Sequence, residues 1–294
     1  MGTLRAGAIL TVFLAVTVPL MVVQALLLAV GGRAALRLPH LYHGFICRLL
    51  GLRINLTGVV DPTQPALIVA NHVSWLDIPV ISAIAPVSFV TKREVRGWPF
   101  IGYLARLQRS LFIDRNARFH ARSQAALISG RLAKGDRIVL FAEGTTGDGN
   151  RVLPFKSALL AAVGLGNGDR PQAGIPVQTL AISYTHLHGI PLGRTMRPGI
   201  AWYGDMEMTS HAWALLKAGS LDVCIRVGAP VALEEFADRK DLARRSEDEV
   251  RRHVVGILRG RPLGEAVVAA QPSDETVKAA RGPSRPAGGG KTWT

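Results

Sequence analysis

The chain has 294 residues, 48% of them hydrophobic and 19% charged, which is enough for one large domain with its own core. Its 35 Lys and Arg outweigh 21 Asp and Glu, for a formal net charge of +14, and such a surplus suits an anionic membrane surface or an acidic carrier protein. No zinc-finger spacing, aromatic RNA-binding motif or basic recognition helix accompanies it, which argues against nucleic acid, and two distant cysteines, Cys47 and Cys224, cannot build a disulfide framework or a cysteine metal site.

Residues 6–30 carry no charge. As a helix they would reach about 37 Å, past the roughly 30 Å hydrocarbon core of a bilayer. The run exceeds the roughly 7–15 apolar residues of a cleaved signal peptide. Pro19 near its middle allows a kink, or a dip that returns on the same side. Arg33, Arg37, Arg48 and Arg53 follow the run and only Arg5 precedes it, a bias that puts the following domain on the cytoplasmic face of the inner membrane. In residues 34–52, Leu36, Leu38, Leu41, Phe45, Leu49 and Leu50 recur at helical spacing between Arg37, His40, His43 and Arg48. This predicts an interfacial amphipathic helix, broken or begun near Pro39, with Cys47 against the membrane.

Further on, apolar runs alternate with helical patterns. Strands are expected at residues 53–58, 66–70, 87–91, 110–114, 137–142, 177–184 and 221–227. Helices are expected at 75–84, 98–107 (with Pro99 in the first turn), 116–134, 155–165 and 239–259. Near-continuous apolar strands between helices predict an α/β fold, with a largely parallel or mixed sheet flanked by helices. The division is then 1–52 for membrane-anchoring helices, 53–262 for the α/β domain, and 263–294 for a disordered tail of Pro, Gly, Ser, Lys and Arg. Gly288-Gly289-Gly290-Lys291-Thr292 is not a phosphate-binding loop, because Arg285 occupies its first glycine position.

The chemistry concentrates in Asn71-His72-Val73-Ser74-Trp75-Leu76-Asp77, directly after apolar Leu67-Ile68-Val69-Ala70. A strand would deliver His72 to the carboxyl edge of the sheet, where α/β folds place their sites. Ser74 is a suitable N-cap, and Asp77 three residues on completes a capping box. A neutral imidazole accepts a proton from a hydroxyl, and a carboxylate behind it stabilises the imidazolium that forms. The chain has no Gly-x-Ser-x-Gly nucleophile elbow. A His–Asp pair alone suits direct attack by a substrate hydroxyl; the residues by themselves fit a plain capped turn as well.

Asn71-His72-x-Ser74-x-x-Asp77 resembles the His-x4-Asp motif of the glycerolipid acyltransferases, the family that contains 1-acylglycerol-3-phosphate acyltransferase. Three further blocks follow in the family's order. Ser110-Leu111-Phe112-Ile113-Asp114-Arg115 resembles the second, with Arg109 where Gly is usual. Phe141-Ala142-Glu143-Gly144-Thr145 resembles the third, and Ile175-Pro176-Val177-Gln178-Thr179 the fourth, with Thr179 replacing a Pro. Lys92-x-Glu94 and Trp98-Pro99-x-x-Gly102 also fit. The resemblance covers about residues 50–230. It implies that His72 deprotonates an acceptor hydroxyl, which attacks an acyl thioester on coenzyme A or acyl carrier protein, and that Asp77 orients His72. It also implies an acceptor site lined by Asn71, Ser74, Lys92, Arg115, Glu143, Gly144, Thr145 and Thr146, with no metal and no cofactor beyond the thioester co-substrate. The partners would be a lysolipid, the thioester carrier and an anionic membrane, with no nucleic acid.

The third block usually continues Glu-Gly-Thr-Arg-Ser; here Thr146 replaces the Arg and Asp148 lies close by. Arg suits bidentate phosphate binding, so its loss beside a new acid argues against a phosphomonoester headgroup and for a zwitterionic or amine-bearing one. The run Glu143-Gly144-Thr145-Thr146-Gly147-Asp148-Gly149-Asn150, with Ser183-Tyr184-Thr185, resembles the bacterial lyso-ornithine lipid acyltransferase branch. Three alternatives stand beside it: lysophosphatidate acylation with phosphate held by Arg93, Arg109 or Arg115; a catalytically silent membrane-tethered lipid-binding protein; and a thioesterase-like hydrolase, which the missing nucleophile elbow argues against.

Overall fold

A strand that is apolar at every position has two faces to bury, and covering both calls for helices on either side of its sheet. The computed structural model describes residues 2–114, 121–160 and 175–260. Nine strands appear among them: β1 (Leu52–Thr57), β2 (Ala66–Ala70), β3 (Ser88–Lys92), β4 (Leu111–Ile113), β5 (Arg137–Phe141), β6 (Pro176–Leu187), β7 (Ile190–Pro191), β8 (Leu221–Val227) and β9 (Val231–Ala232). They form a sheet ordered β1-β8-β6-β2-β5-β3-β4, with β7 and β9 added to β6. From β6 to β4 the strands are parallel. β8 meets β6 antiparallel, and β1 runs parallel to β8. The sheet is therefore mixed, as expected.

β2 shows the burial logic. Leu67 and Val69 enter one core, with Ile138 and Leu140 of β5. Ala66, Ile68 and Ala70 enter the other, with Val139 and Phe141. The first core includes Ile128 and Leu132 of α5 (Ala121–Ala133) and Leu242, Val250 and Val254 of α8 (Arg239–Leu258). The second includes Cys47 of α2 (Ala34–Leu50), Val80 and Ile81 of α3 (Asp77–Ile84), with Leu215 of α7 (Met208–Ala218) packed against it. Two short helices complete the set, α4 (Ile101–Leu107) and α6 (Ser157–Leu160).

The apolar N-terminal run forms one unbroken helix, α1 (Gly2–Val30), through Pro19. It lies lengthwise on the domain. Arg5 donates to the carbonyls of Leu216 and of Leu50, the latter at 3.0 Å. Thr17 Oγ1 meets Tyr42 Oη at 2.8 Å, and Phe13 packs edge-on against Phe100. Gln24 Nε2 donates to the carbonyls of Ala35 and Leu107 at 2.8 and 3.0 Å. Nineteen residues separate Arg5 from Gln24, about 28 Å of helix. Leu10, Leu14, Val18, Val22 and Leu26 remain exposed.

Several expectations are corrected. α2 runs straight through Pro39. A helical proline leaves the carbonyl four residues earlier without its N–H partner; here that carbonyl belongs to Ala35, and Gln24 supplies the missing donor. Cys47 does not face a membrane: it is 3% exposed in the core, where burial pushes its thiol up to about 12. The helix expected from residue 98 begins at Ile101, behind a 3₁₀ turn at Arg93–Gly97, so Pro99 precedes it. β6 extends to Leu187 and turns back through β7, and α7 lies where the apolar spacing predicts no helix. The proposed tail at 263–294, the start of the 116–134 helix and the end of the 155–165 helix lie outside the described residues.

Candidate active site

β2 ends at Ala70, and the chain turns over the carboxyl edge of the sheet before α3 begins at Asp77. Asn71 governs the exit. Its Nδ2 donates to the Ile182 carbonyl at 3.0 Å, and its Oδ1 accepts the Ile182 N–H at 2.9 Å. The carboxamide thereby extends the β2–β6 pairing by one step, satisfying main-chain groups that would otherwise be buried without partners. Asn71 is 3% exposed, so its side chain is committed to β6.

His72 lies flat on Phe141, with ring centroids 3.9 Å apart and planes at 10°. Its Nδ1 is 2.7 Å from Asp77 Oδ2. A carboxylate only accepts, so Nδ1 carries the ring proton and Nε2 presents a lone pair. The side chain keeps 19% of its surface, so the ring is reachable from outside.

Asp77 is fully buried. Oδ2 also accepts the N–H groups of Val73 at 2.7 Å and Ser74 at 3.0 Å, while Oδ1 accepts the Tyr184 hydroxyl at 2.7 Å. Four donors compensate for the loss of water around this carboxylate, and its place in the first turn of α3 suits a negative charge. Only half of the expected capping box forms. The Asp77 carboxylate reaches back to the Ser74 N–H, but the Ser74 hydroxyl is buried with no partner among the described residues. Tyr184 is buried on β6. Burial, then the charge of Asp77, push its phenol well above its usual range, so it remains a donor.

The chain leaving β5 wraps the same turn. Ala142 N–H donates to Ala70 carbonyl at 3.1 Å, and Gly147 N–H to His72 carbonyl at 2.8 Å. Glu143 is 1% exposed. Oε2 accepts the His72 N–H at 3.3 Å, and Oε1 accepts the Leu153 N–H at 3.0 Å. Burial raises its carboxyl to about 8, against the pull of those two bonds. Glu143 thus braces the His72 turn from beneath. Gly144 has φ +72°, and a Cβ there would stand 3.1 Å from Leu159 Cδ1 and Lys156 Cδ, a conformation and a space that favour glycine. Thr145 is exposed and Thr146 half-buried, on the loop that Gly147 ties to His72. Lys92 is exposed at the end of β3, with β5 standing between that strand and β2. Arg115 lies outside the described residues.

This geometry has relatives. The sequence model of the Acyltransferase family matches residues 53–183. The lyso-ornithine lipid O-acyltransferase of Brucella abortus is 43% identical over 265 residues, spanning 90% of this chain and 99% of that one. The chain belongs to the acyltransferase family. The 1-acyl-sn-glycerol-3-phosphate acyltransferase of Neisseria gonorrhoeae is 31% identical over 202 residues, 69% of this chain and 74% of its own. The 1-acyl-sn-glycerophosphate acyltransferase structure from Thermotoga maritima shares the fold at TM-score 0.61 and 22% identity, covering 87% of this chain and 94% of that one.

Two further residues stand at the site of this acyltransferase: Tyr184, bonded to Asp77, and Lys156, beside Gly144. Tyr184 belongs to the block Ser183-Tyr184-Thr185, and a tyrosine inside the apolar strand 177–184 signals a buried hydroxyl that needs a partner. Lys156 Nζ lies 3.3 Å from where a Gly144 Cβ would be. No spacing rule links it to His72.

Proposed function

We propose that this enzyme moves a fatty acyl group from a thioester of acyl carrier protein or coenzyme A to the hydroxyl of a lyso-ornithine lipid, with His72 as general base. The observation that carries this is the His72 Nδ1–Asp77 Oδ2 contact of 2.7 Å on a fully buried carboxylate. Nε2 takes the hydroxyl proton as the oxygen attacks the thioester carbonyl carbon. The new C–O ester bond forms, the C–S bond breaks, and the imidazolium gives its proton to the leaving sulfur, which departs as the carrier thiol and leaves His72 neutral again. Asp77 stabilises the imidazolium while it lasts. Lys92, Arg115, Thr145 and Thr146 are assigned to the acceptor side of the site.

Thr146 in place of Arg, with Asp148 two residues on, supports a headgroup other than a phosphomonoester. The likeness to the Brucella abortus lyso-ornithine lipid O-acyltransferase supports the same choice. Lysophosphatidate is the second reading, favoured by the likeness to the Neisseria gonorrhoeae enzyme.

The setting is the cytoplasmic face of the inner membrane. The contacts of α1 from Arg5 to Gln24 with α2, α4 and α7 support a helix lying in one leaflet, its exposed apolar face in lipid. The net charge of +14 would hold the domain on anionic lipid and attract acyl carrier protein, so raised salt weakens both.

A panel of lysolipid acceptors with both thioester donors tests the assignment. Replacing His72 with Ala should lower turnover by about 10²–10⁴-fold. Esterification of lysophosphatidate with lyso-ornithine lipid left untouched refutes the acceptor; unchanged turnover in His72→Ala refutes the base.

A further inference from the structure

Two chain segments are bonded to the main chain of the His72 turn. Gly147 N–H donates to the His72 carbonyl at 2.8 Å, and Trp202 N–H donates to the Val73 carbonyl at 3.0 Å. The first segment carries Asp148 and Asn150, the second Arg197. They meet at Gly149, where a Cβ would stand 3.3 Å from Val73 Cγ1 and 3.6 Å from Arg197 Cβ. The glycine, at φ +77°, lets Arg197 pack beside the turn.

Asn150 sits between two opposite charges. Its Oδ1 accepts Arg197 Nη1 at 3.2 Å, and its Nδ2 donates to Asp148 Oδ2 at 3.2 Å. Its main-chain N–H holds Asp148 Oδ1 at 2.9 Å. Each end of one carboxamide therefore fixes one charge, and the amide keeps them apart. Arg197 Nε is buried with no partner among the described residues. Burial, then repulsion from Arg194, disfavours the Arg197 charge, and Asp148 offsets this only in part. The half-buried Arg197 guanidinium, bonded to a neutral amide and with its Nε unmatched by an acceptor, is suited to an anion.

We propose that Arg197, Asn150 and Asp148 form the headgroup site for a zwitterionic amino-acid lipid, with Arg197 taking its carboxylate and Asp148 its ammonium. This rests on the lyso-ornithine reading above. An ornithine joined through its α-amine keeps a free carboxylate and a free δ-ammonium. One trans amide unit of about 3.8 Å, with the hydroxyl-bearing carbon beyond one end and the carboxyl carbon beyond the other, separates the acceptor hydroxyl from that carboxylate, a span of roughly 7 Å when extended. The proposal places the hydroxyl at His72 and the carboxylate at Arg197, whose segment is bonded to Val73 through Trp202. The three-carbon arm carries the ammonium to Asp148. A phosphate dianion attracted by Arg197 would meet Asp148 as a repelling neighbour.

The test compares four acceptors on the intact membrane enzyme: lyso-ornithine lipid, its carboxyl methyl ester, its δ-N-acetyl derivative and lysophosphatidate. With the wild type, the ester and the acetyl derivative should each lose roughly tenfold or more in kcat/KM, as expected for a charge-assisted hydrogen bond. Arg197→Gln should lower the parent lipid similarly, and the ester several-fold less. Asp148→Asn, which keeps Oδ1 for the Asn150 N–H, should lower the parent, and the acetyl derivative several-fold less. If lyso-ornithine lipid is acylated but its ester and acetyl derivative react equally well, the headgroup site is wrong and the acceptor reading stands. If lysophosphatidate alone is acylated, both fall. The analogue series needs no variant, so it decides independently of how the variants fold.

Discussion

Glu143 makes a prediction whose sign is set by burial. Its carboxyl is 1% exposed and accepts N–H bonds from His72 and Leu153. Gln at this position keeps an oxygen for one N–H and turns an amide NH₂ toward the other, which should cost about 1–3 kcal/mol. The pH dependence opposes that cost. Native Glu143 holds its proton up to about pH 8, whereas the unfolded chain releases it near 4.5. Between those values the native state binds more protons than the unfolded state, so stability falls as pH rises. This group's contribution is complete below about pH 4.5 and lost by about pH 8, a swing of up to roughly 5 kcal/mol. Glu143→Gln lacks that swing. Wild type should therefore be the more stable protein near pH 5 and the less stable one above about pH 8. Urea unfolding in detergent, followed by tryptophan fluorescence at stepped pH, measures both curves. Groups common to the two proteins cancel in the difference. Parallel curves across this range would mean that Glu143 titrates at its ordinary value, and the burial argument would be refuted.

Three further outcomes follow from the same contacts. Tyr184→Phe removes the donor to Asp77 Oδ1 and should cost about 1–3 kcal/mol of stability with a fall in kcat and little change in KM; denaturation with steady-state kinetics checks it, and unchanged values in both count against it. Asn71→Ala breaks both bonds to Ile182 and should destabilise by roughly 2–4 kcal/mol, since it strands two buried main-chain groups; a smaller loss than that of Ser74→Ala, whose hydroxyl has no partner among the described residues, would contradict it. A reporter fused ahead of α1 should read as cytoplasmic, because a helix tied to the domain from Arg5 to Gln24 has both ends on one side of the bilayer; a periplasmic signal would show that it crosses.

Much of the scaffold could be read from residue order alone. β2, β8 and α8 lie within a residue or so of their expected bounds, because unbroken apolar runs and charged helical spacing are local properties. The His72–Asp77 pairing was equally local: five residues and one turn bring Nδ1 and Oδ2 together. Errors gathered where distant partners decide. Pro39 looked like a break until Gln24, fifteen residues earlier, satisfied the carbonyl it freed. Cys47 looked membrane-facing until the sheet covered it.

The α/β alternation, the apolar N-terminal run and a histidine beside a carboxylate at a strand's end are legible in residue order, since periodicity and short spacing carry all three. That Tyr184, 107 residues from Asp77, completes that carboxylate's hydrogen bonds, and that Arg197 and Asp148 meet across Asn150, follows from packing alone. The physical reason is that buried polar groups need partners, and packing, not sequence distance, determines which partners are within reach.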